Sequence, residues 1–126
     1  MIIAEDLQRK LDKLIREPLN PQLYNDIGVL LYHMRDLSNS EIYLKRAYEL
    51  CPSSLDILYN YALLLKSKAK FREAITIYQC YLVIEPDNDE VSEKIRDVYY
   101  LLDDYQKAIK YSSPRKGNNK CQKVKA

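Results

Sequence analysis

Glycine is scarce in this chain, which has two glycines and no tryptophan among 126 residues. Glycine supplies the backbone conformations that tight turns and irregular loops need, so its scarcity argues against a loop-rich or many-turned β fold. Hydrophobic residues make up 47% of the chain and charged residues 30%, as in ordinary globular proteins. The composition therefore favours long helices in a single domain.

Cysteine and histidine are also few. Cys51, Cys80 and Cys121 show no CxxC spacing, and His33 is the one histidine. A structural zinc site needs about four ligands, and unpatterned cysteines are typical of reduced thiols in a cytoplasmic protein. We therefore predict no metal site, no cofactor and a cytoplasmic location.

Long apolar runs are missing. Residues 1–4 are followed at once by Glu5 and Asp6, so we expect no signal-peptide core. No run approaches the roughly 20 apolar residues of a membrane span. The sequence predicts no membrane partner.

Basic residues are concentrated at the C-terminal end. Residues 112–126 carry five basic residues and no acid, which leaves 15 basic against 18 acidic residues in 1–111. We expect a disordered basic tail at 114–126, whose contact with nucleic acid is weak and non-specific. Specific nucleic-acid recognition is not expected, because acidic residues dominate the predicted binding surface described below.

The prolines reveal an internal period. Pro18, Pro52 and Pro86 are 34 residues apart, and a period of this length indicates stacked repeats. Two further sets of residues recur at the same interval: Leu37, Phe71 and Tyr105, and Ser40, Ala74 and Ala108.

Apolar residues inside each repeat follow a helical spacing. In the first repeat Leu23, Ile27 and Leu31 recur every four residues, and a second apolar series runs from Leu37 to Leu50. Each repeat is therefore two antiparallel helices joined by a short polar turn. The proline ends the second helix, because its ring removes an N–H donor and disfavours helix in the preceding residue.

This pattern resembles the tetratricopeptide repeat family over about residues 21–111. In the first repeat the signature positions hold Tyr24, Ile27, Gly28, Leu31, Ser40, Leu44, Ala47 and Pro52. In the second repeat they hold Leu58, Tyr61, Ala62, Leu65, Ala74, Tyr78 and Pro86. The third repeat departs from the pattern with Arg96 at a small-residue site. The resemblance implies an all-α fold, a right-handed superhelical stack of antiparallel helix pairs.

The period divides the chain into five segments. They are an N-terminal capping helix at 1–20, repeats at 21–54 and 55–88, a degenerate or truncated third repeat at 89–113, and the tail at 114–126. A solenoid needs a cap because its open end exposes apolar surface. The apolar face of the predicted cap is formed by Ile3, Leu7, Leu11, Leu14 and Ile15.

No catalytic constellation is found. The chain has no nucleophile elbow, no paired carboxylates and no glycine-rich phosphate loop, so we predict that it is not an enzyme and has no small-molecule substrate. Cys51 is interpreted as a residue that closes a helix before Pro52. The tyrosines at signature positions are expected in the core: Tyr61, Tyr78, Tyr99 and Tyr105.

The resemblance implies that a partner peptide lies in a concave groove lined by the first helix of each pair. Its expected contact residues, all exposed and facing inward, are Asn25, Val29, Tyr32, Tyr59, Asn60, Leu63 and Lys94. Asparagine can bond a ligand backbone in two directions, and tyrosine gives rigid amphipathic contact. We therefore predict an adaptor or scaffold module that binds a protein or peptide.

One subfamily captures a partner's C-terminal carboxylate with lysines, arginine and asparagines. At the matching positions this chain has Asn25 and Glu90 for lysines and Val29 for an asparagine. Asn60 alone agrees, with Lys94 a loose substitute for the arginine. The lost cations and the added acid argue against carboxylate capture.

The alternative function is self-association or capping within a larger assembly. The pattern of the third repeat breaks at Pro114, which leaves its apolar face partly uncovered. This predicts a possible homodimer through the C-terminal repeat.

Overall fold

The computed structural model describes residues 2–111, and the regular elements in this part of the chain are all α-helices. They are α1 Ile2–Arg16, α2 Pro21–His33, α3 Leu37–Leu50, α4 Leu55–Ser67, α5 Phe71–Ile84, α6 Asp89–Leu101 and α7 Tyr105–Lys110. The predicted all-α fold is confirmed. The predicted tail at 114–126 and Cys121 lie outside the described residues.

The helices pack as successive pairs. Helix α2 packs on α3, α4 on α5 and α6 on α7, while α3 contacts α4 and α5 contacts α6. A direct contact between α2 and α4 brings the first helices of two neighbouring pairs side by side. Helices α1 to α7 thus form one continuous stack with the first helices of the pairs along one side.

Polar side chains fix the starts of five helices. At each start an oxygen accepts a hydrogen bond from a backbone N–H of the first turn, which satisfies a donor that has no partner within the helix. The capping residues are Asn20, Asp36, Ser54, Asn88 and Asp104. The interpretation of Cys51 as a residue that closes a helix before Pro52 is confirmed, since Cys51 follows the last residue of α3 and Ser54 then caps α4.

The turn inside each pair has the same backbone in all three pairs. Arg35, Ala69 and Asp103 have positive φ angles of 68°, 60° and 60°, and they are spaced at the period of 34. The residue after each turn donates back into the preceding helix; Lys70 N, for example, bonds Leu65 O at 2.9 Å. This left-handed position usually holds glycine, so all three residues occupy a conformation that costs an L-residue about 1 kcal/mol or more.

Close packing inside the first pair depends on Gly28. A Cβ placed on Gly28 would lie 2.5 Å from Cγ of Leu44, which is itself buried. The Ser40 hydroxyl donates to the Gly28 carbonyl at 2.7 Å across the same contact. The small residues at positions 28 and 40 therefore let α2 and α3 approach, as the period predicts.

The core lies around the second pair, because α4 and α5 are covered on both sides. Tyr61, Tyr78 and Tyr99 are buried as predicted. Tyr105 was expected in the core and is 55% exposed, because α7 has six residues and no described helix packs beyond it.

The N-terminal helix is less covered than predicted. Helix α1 has no buried residue, and two members of its expected apolar face, Ile3 and Ile15, are exposed. The described part of α1 packs mainly against α2, whereas helices inside the stack are covered on more than one side. Leu7, Leu11 and Leu14 are half-buried and carry the contact.

Candidate functional site

The first helices of the three pairs, α2, α4 and α6, carry every residue predicted to bind a partner. We call their shared side the groove face. It carries the seven predicted contact residues Asn25, Val29, Tyr32, Tyr59, Asn60, Leu63 and Lys94, together with the carboxylates Asp56, Glu90 and Glu93. The fold brings these seven residues onto adjacent helices, and cross-repeat hydrogen bonds join several of them.

Asn25 is buried, which corrects the expectation that it is exposed. Its side chain is enclosed between α2 and α4, with the residue 2% exposed. Its Nδ2 donates to Asp56 Oδ2 at 3.1 Å, and its Oδ1 accepts from Asn60 Nδ2 at 3.1 Å. Buried polar groups are retained where they are hydrogen-bonded, so Asn25 joins the two helices and positions Asp56 and Asn60.

The same connection recurs one repeat later with different side chains. The Tyr59 hydroxyl donates to Glu90 Oε2 at 3.0 Å. Asn25 to Asp56 and Tyr59 to Glu90 are both separations of 31 residues, so two residues at one repeat position each bond a carboxylate of the next repeat. The groove face therefore contains a periodic row of hydrogen bonds from α2 to α6.

The remaining predicted residues lie along this row. The Tyr32 hydroxyl and the Ser67 hydroxyl are hydrogen-bonded at 3.1 Å, which adds a third hydrogen bond between α2 and α4. Val29 and Leu63 are half-buried, and so offer apolar surface beside the polar row. Lys94 holds its Nζ 5.8 Å from the centre of the Tyr59 ring, within the range of a cation–π contact.

Tyr78 lies beneath Tyr59. The two rings meet edge to face with centroids 6.2 Å apart. The Tyr78 hydroxyl is buried and has no hydrogen-bond partner among the described residues. Burial, together with the nearby Tyr59, Tyr32 and Glu90, raises the pKa of Tyr78 well above its usual range, so the hydroxyl stays neutral.

Three carboxylates of the groove face have no cation within ion-pair distance among residues 2–111. They are Asp56, Glu90 and Glu93, and all three are exposed. Asp26 differs, because its carboxylate lies 3.5 Å from Lys10 Nζ of α1. The unpaired carboxylates give this surface a negative character.

Asp56 and Glu90 belong to the site but were not among its predicted contact residues. Each accepts a hydrogen bond from a predicted residue, Asn25 or Tyr59, and each projects from the first turn of its helix. The period contains the signal that could have found them, since residues 56 and 90 are 34 apart and share one repeat position.

Other reactive groups are dispersed. Cys51 and Cys80 are free and half-buried, and Cys80 lies against the core. Within residues 2–111 no three potential ligands among His, Cys, Asp and Glu come together in a way that could hold a metal ion. None of the helices in the described range combines the length and apolar character required to cross a bilayer. A hollow of about 710 Å³ lies elsewhere, between α1 and α3, beside Leu14 and Tyr24.

The tetratricopeptide repeat family matches residues 21–54, the range predicted for the first repeat. No curated protein matches the chain. Among solved structures, that of MamA protein has a TM-score of 0.85 at 18% identity, over 98% of this chain and 68% of that chain. A MamA RS-1 ArsTM double mutant has a TM-score of 0.81 at 15% identity, over 86% of this chain and 61% of that chain.

A further similar structure is that of the first TPR of Spaghetti (RPAP3) bound to the HSP90 peptide SRMEEVD. Its TM-score is 0.74 at 20% identity, over 79% of this chain and 81% of that chain. The chain spans about two thirds of the length of the MamA chains it matches. At these identities the structures establish the fold alone. The chain thus carries a tetratricopeptide repeat at residues 21–54 and has the stacked helix-pair fold of solved tetratricopeptide-repeat structures.

Proposed function

We propose that this chain is a non-catalytic interaction module that binds a peptide or partner helix on the groove face, as an adaptor or scaffold. The observation that supports this most directly is the row of cross-repeat hydrogen bonds, Asn25 to Asp56 and Tyr59 to Glu90. Side chains held in place before binding lose less conformational entropy when a ligand arrives.

The seven predicted residues have two roles in this proposal. Val29, Tyr32, Tyr59, Leu63 and Lys94 contact the partner, while Asn25 and Asn60 hold the surface in shape from α2 and α4. Tyrosine contributes a large contact area at low entropic cost, and half-buried Val29 and Leu63 supply apolar contact. The peptide bound to the first TPR of Spaghetti supports a peptide as the class of ligand.

The mode of recognition proposed here excludes capture of a C-terminal carboxylate. Glu90 stands where that capture needs a lysine, and its carboxylate is exposed beside Tyr59. No small-molecule substrate, membrane or specific nucleic acid is part of the proposal. The free thiols of Cys51 and Cys80 support a cytoplasmic setting.

Cross-linking followed by affinity purification and mass spectrometry tests the groove. The wild-type chain is compared with Tyr59→Ala/Leu63→Ala, which removes two contact side chains, and with Tyr59→Ala/Asn60→Ala. The matched control is Val83→Ala on α5, where the side chain is 81% exposed and lies outside the groove face. We expect a set of partner proteins that is recovered with both the wild type and the control and is absent from both groove variants. Identical partner sets for all four chains would contradict the proposal.

Self-association through the C-terminal pair is the second candidate function. Four large side chains at this end are exposed, and they are Tyr100, Leu101, Tyr105 and Ile109. The rings of Tyr100 and Tyr105 lie 5.6 Å apart, and exposed apolar side chains that cluster in this way mark an interface in many proteins. Sedimentation equilibrium should show a dimer that Ile109→Lys dissociates. A strict monomer at high concentration would exclude this candidate.

A further inference from the structure

We infer that the partner segment recognised by the groove face is basic, with lysine or arginine side chains that bind Asp56 and Glu90. The inference rests on the proposed function and names the chemistry of the partner. Two independent observations carry it: a pair of oriented carboxylates without cations, and the unpartnered hydroxyl of Tyr78.

Asp56 and Glu90 form the pair of carboxylates. They occupy the same position in successive repeats, both are exposed, and neither has a cation within ion-pair distance in residues 2–111. Neutral donors orient them, since Asn25 bonds Asp56 at 3.1 Å and Tyr59 bonds Glu90 at 3.0 Å. An oriented carboxylate without a cation at ion-pair distance can form strong charge-assisted hydrogen bonds with an incoming cation.

Tyr78 provides the second observation. Its hydroxyl is buried without a hydrogen-bond partner among the described residues, beneath Tyr59 and close to the charge of Glu90. A buried polar atom without a partner costs about 1–3 kcal/mol, so a ligand group that bonds it gains affinity. A hydroxyl oxygen can accept the N–H of an ammonium or guanidinium group that reaches it past the Tyr59 ring.

Lys94 shows that a cation is accepted at this place. Its Nζ lies over the face of the Tyr59 ring, at 5.8 Å from the ring centre. A basic ligand therefore competes with Lys94, whereas an acidic ligand would bind to it. Removal of the Lys94 charge consequently has opposite effects on the two classes of ligand.

The balance of charge along the groove face agrees with a basic ligand. Helices α4 and α6 together carry five acidic residues, Asp56, Asp89, Glu90, Glu93 and Asp97, and three basic residues, Lys66, Lys94 and Arg96. Asp97 has a neighbouring cation, since its Oδ1 lies 3.5 Å from Arg96. The surface keeps a negative excess that attracts a basic segment and repels an acidic one.

Fluorescence anisotropy on the full chain at low ionic strength tests the inference. The probe is a fluorescein-labelled heptapeptide with lysines at its first, fourth and seventh positions separated by Gly-Ser, and its glutamate counterpart is the comparison. We expect the lysine peptide to bind and Asp56→Asn/Glu90→Gln to weaken it at least about fivefold. Glu49→Gln/Glu73→Gln is the matched control, because it removes two carboxylates beside a hollow between α3 and α5 and should change affinity less than about twofold.

Two single variants complete the test. Lys94→Gln should strengthen binding of the lysine peptide about two- to fivefold, since a competing cation is lost. Tyr78→Phe should weaken that binding while urea unfolding shows no loss of stability, because the phenylalanine fills the same space without the unpaired hydroxyl.

Several results would overturn the inference. They are tighter binding of the glutamate peptide, absence of binding by both peptides, and weaker lysine-peptide binding in Lys94→Gln. The measurement is repeated with the five basic residues of 112–126 changed to glutamine. If the lysine peptide binds this variant more than about fivefold more tightly than it binds the wild type, the basic residues of 112–126 are the occupant of the groove face. The inference of a separate partner segment is then overturned. If purification still shows partners lost in the groove variants, the proposed function stands and the charge inference alone fails.

Discussion

Asn25 of α2 donates a hydrogen bond to Asp56 of α4 at 3.1 Å, across a sequence separation of 31 residues. The same separation joins Tyr59 to Glu90 in the next repeat. Polar residues of the groove face therefore stabilise the stack as well as forming its surface. A substitution on this face can therefore change both the free energy of unfolding and the affinity for a partner, and both have to be measured.

Replacement of Asn25 by alanine should lower the free energy of unfolding by about 2–3 kcal/mol. The change removes a buried donor to the Asp56 carboxylate and the acceptor used by Asn60. Gln22→Ala on the same helix is the control, because Gln22 is exposed and should change stability by less than about 0.5 kcal/mol. Equal midpoints of urea unfolding for the two variants would show that the buried network does not stabilise the stack.

Gly28→Ala should destabilise the chain by about 1–3 kcal/mol, because the added Cβ would lie 2.5 Å from the Leu44 side chain. The double variant Gly28→Ala/Leu44→Ala relieves this overlap. Its loss of stability should therefore be smaller than the sum of the two single losses, by about 0.5 kcal/mol or more. If the losses of stability of the two single variants simply add in the double variant, the overlap between the added Cβ and the Leu44 side chain does not contribute to the loss. Urea unfolding of the wild type and the three variants measures this.

Ala69→Gly should stabilise the chain by about 0.5–1 kcal/mol. Ala69 has a φ of 60°, which costs an L-residue about 1–2 kcal/mol, and relief of this strain outweighs the larger entropy of glycine in the unfolded chain. At Lys45, exposed in the middle of α3, glycine should instead be less stable than alanine by about 1 kcal/mol. Thermal unfolding should therefore show a higher midpoint for Ala69→Gly than for the wild type. It should show a lower midpoint for Lys45→Gly than for Lys45→Ala.

Glu41 should make stability depend on pH. Its carboxylate accepts hydrogen bonds from Lys68 at 2.6 Å and Lys70 at 2.8 Å. Burial alone would raise the pKa of Glu41, but the two lysines outweigh it and lower that pKa below its ordinary value. Because this pKa is lower in the folded state than in the unfolded state, the contribution of Glu41 to stability is fully present above the unfolded-state pKa. It is lost as the pH falls through the folded-state pKa.

The measurement compares wild type with Glu41→Gln by urea unfolding from pH 7 to pH 3. The wild type should be more stable by about 1–2 kcal/mol above pH 5, a modest amount because the lysines are partly exposed. Below about pH 4 the difference should shrink as Glu41 binds a proton. A difference that stays constant with pH would contradict the role given to the two ion pairs.

Much of the fold could be predicted from the sequence. The prolines spaced at 34 give the period, and the helical spacing of Leu23, Ile27 and Leu31 gives the element type. Both patterns depend on residues that are close together in the chain, and they recur in each repeat. A helix assignment made in one repeat therefore applies to the next. The turn residues were harder to predict, because Arg35, Ala69 and Asp103 hold a position that usually carries glycine.

The groove face was predicted as a set of residues but not as a network. A helical period shows which side chains share a face, and the resemblance to the tetratricopeptide repeat family placed Tyr59, Asn60 and Lys94 on the predicted groove. It does not show which polar side chain meets another across two helices, because that depends on the axial shift between them. The separations of 31 and 35 residues record that shift. Asn25 is buried, while Tyr59 at the same repeat position remains partly accessible.

The sequence by itself determined the helix pairs, since period, capping residues and helix-ending prolines act over one or two turns of chain. Tertiary structure alone decided the degree of burial, because burial depends on how many neighbours a helix has in the stack. Tyr78 is enclosed between covered helices, whereas Tyr105 on the terminal helix is exposed although both stand at signature positions. The same dependence left Asp56 and Glu90 oriented on the groove face, and that arrangement is the basis for the inference of a basic partner.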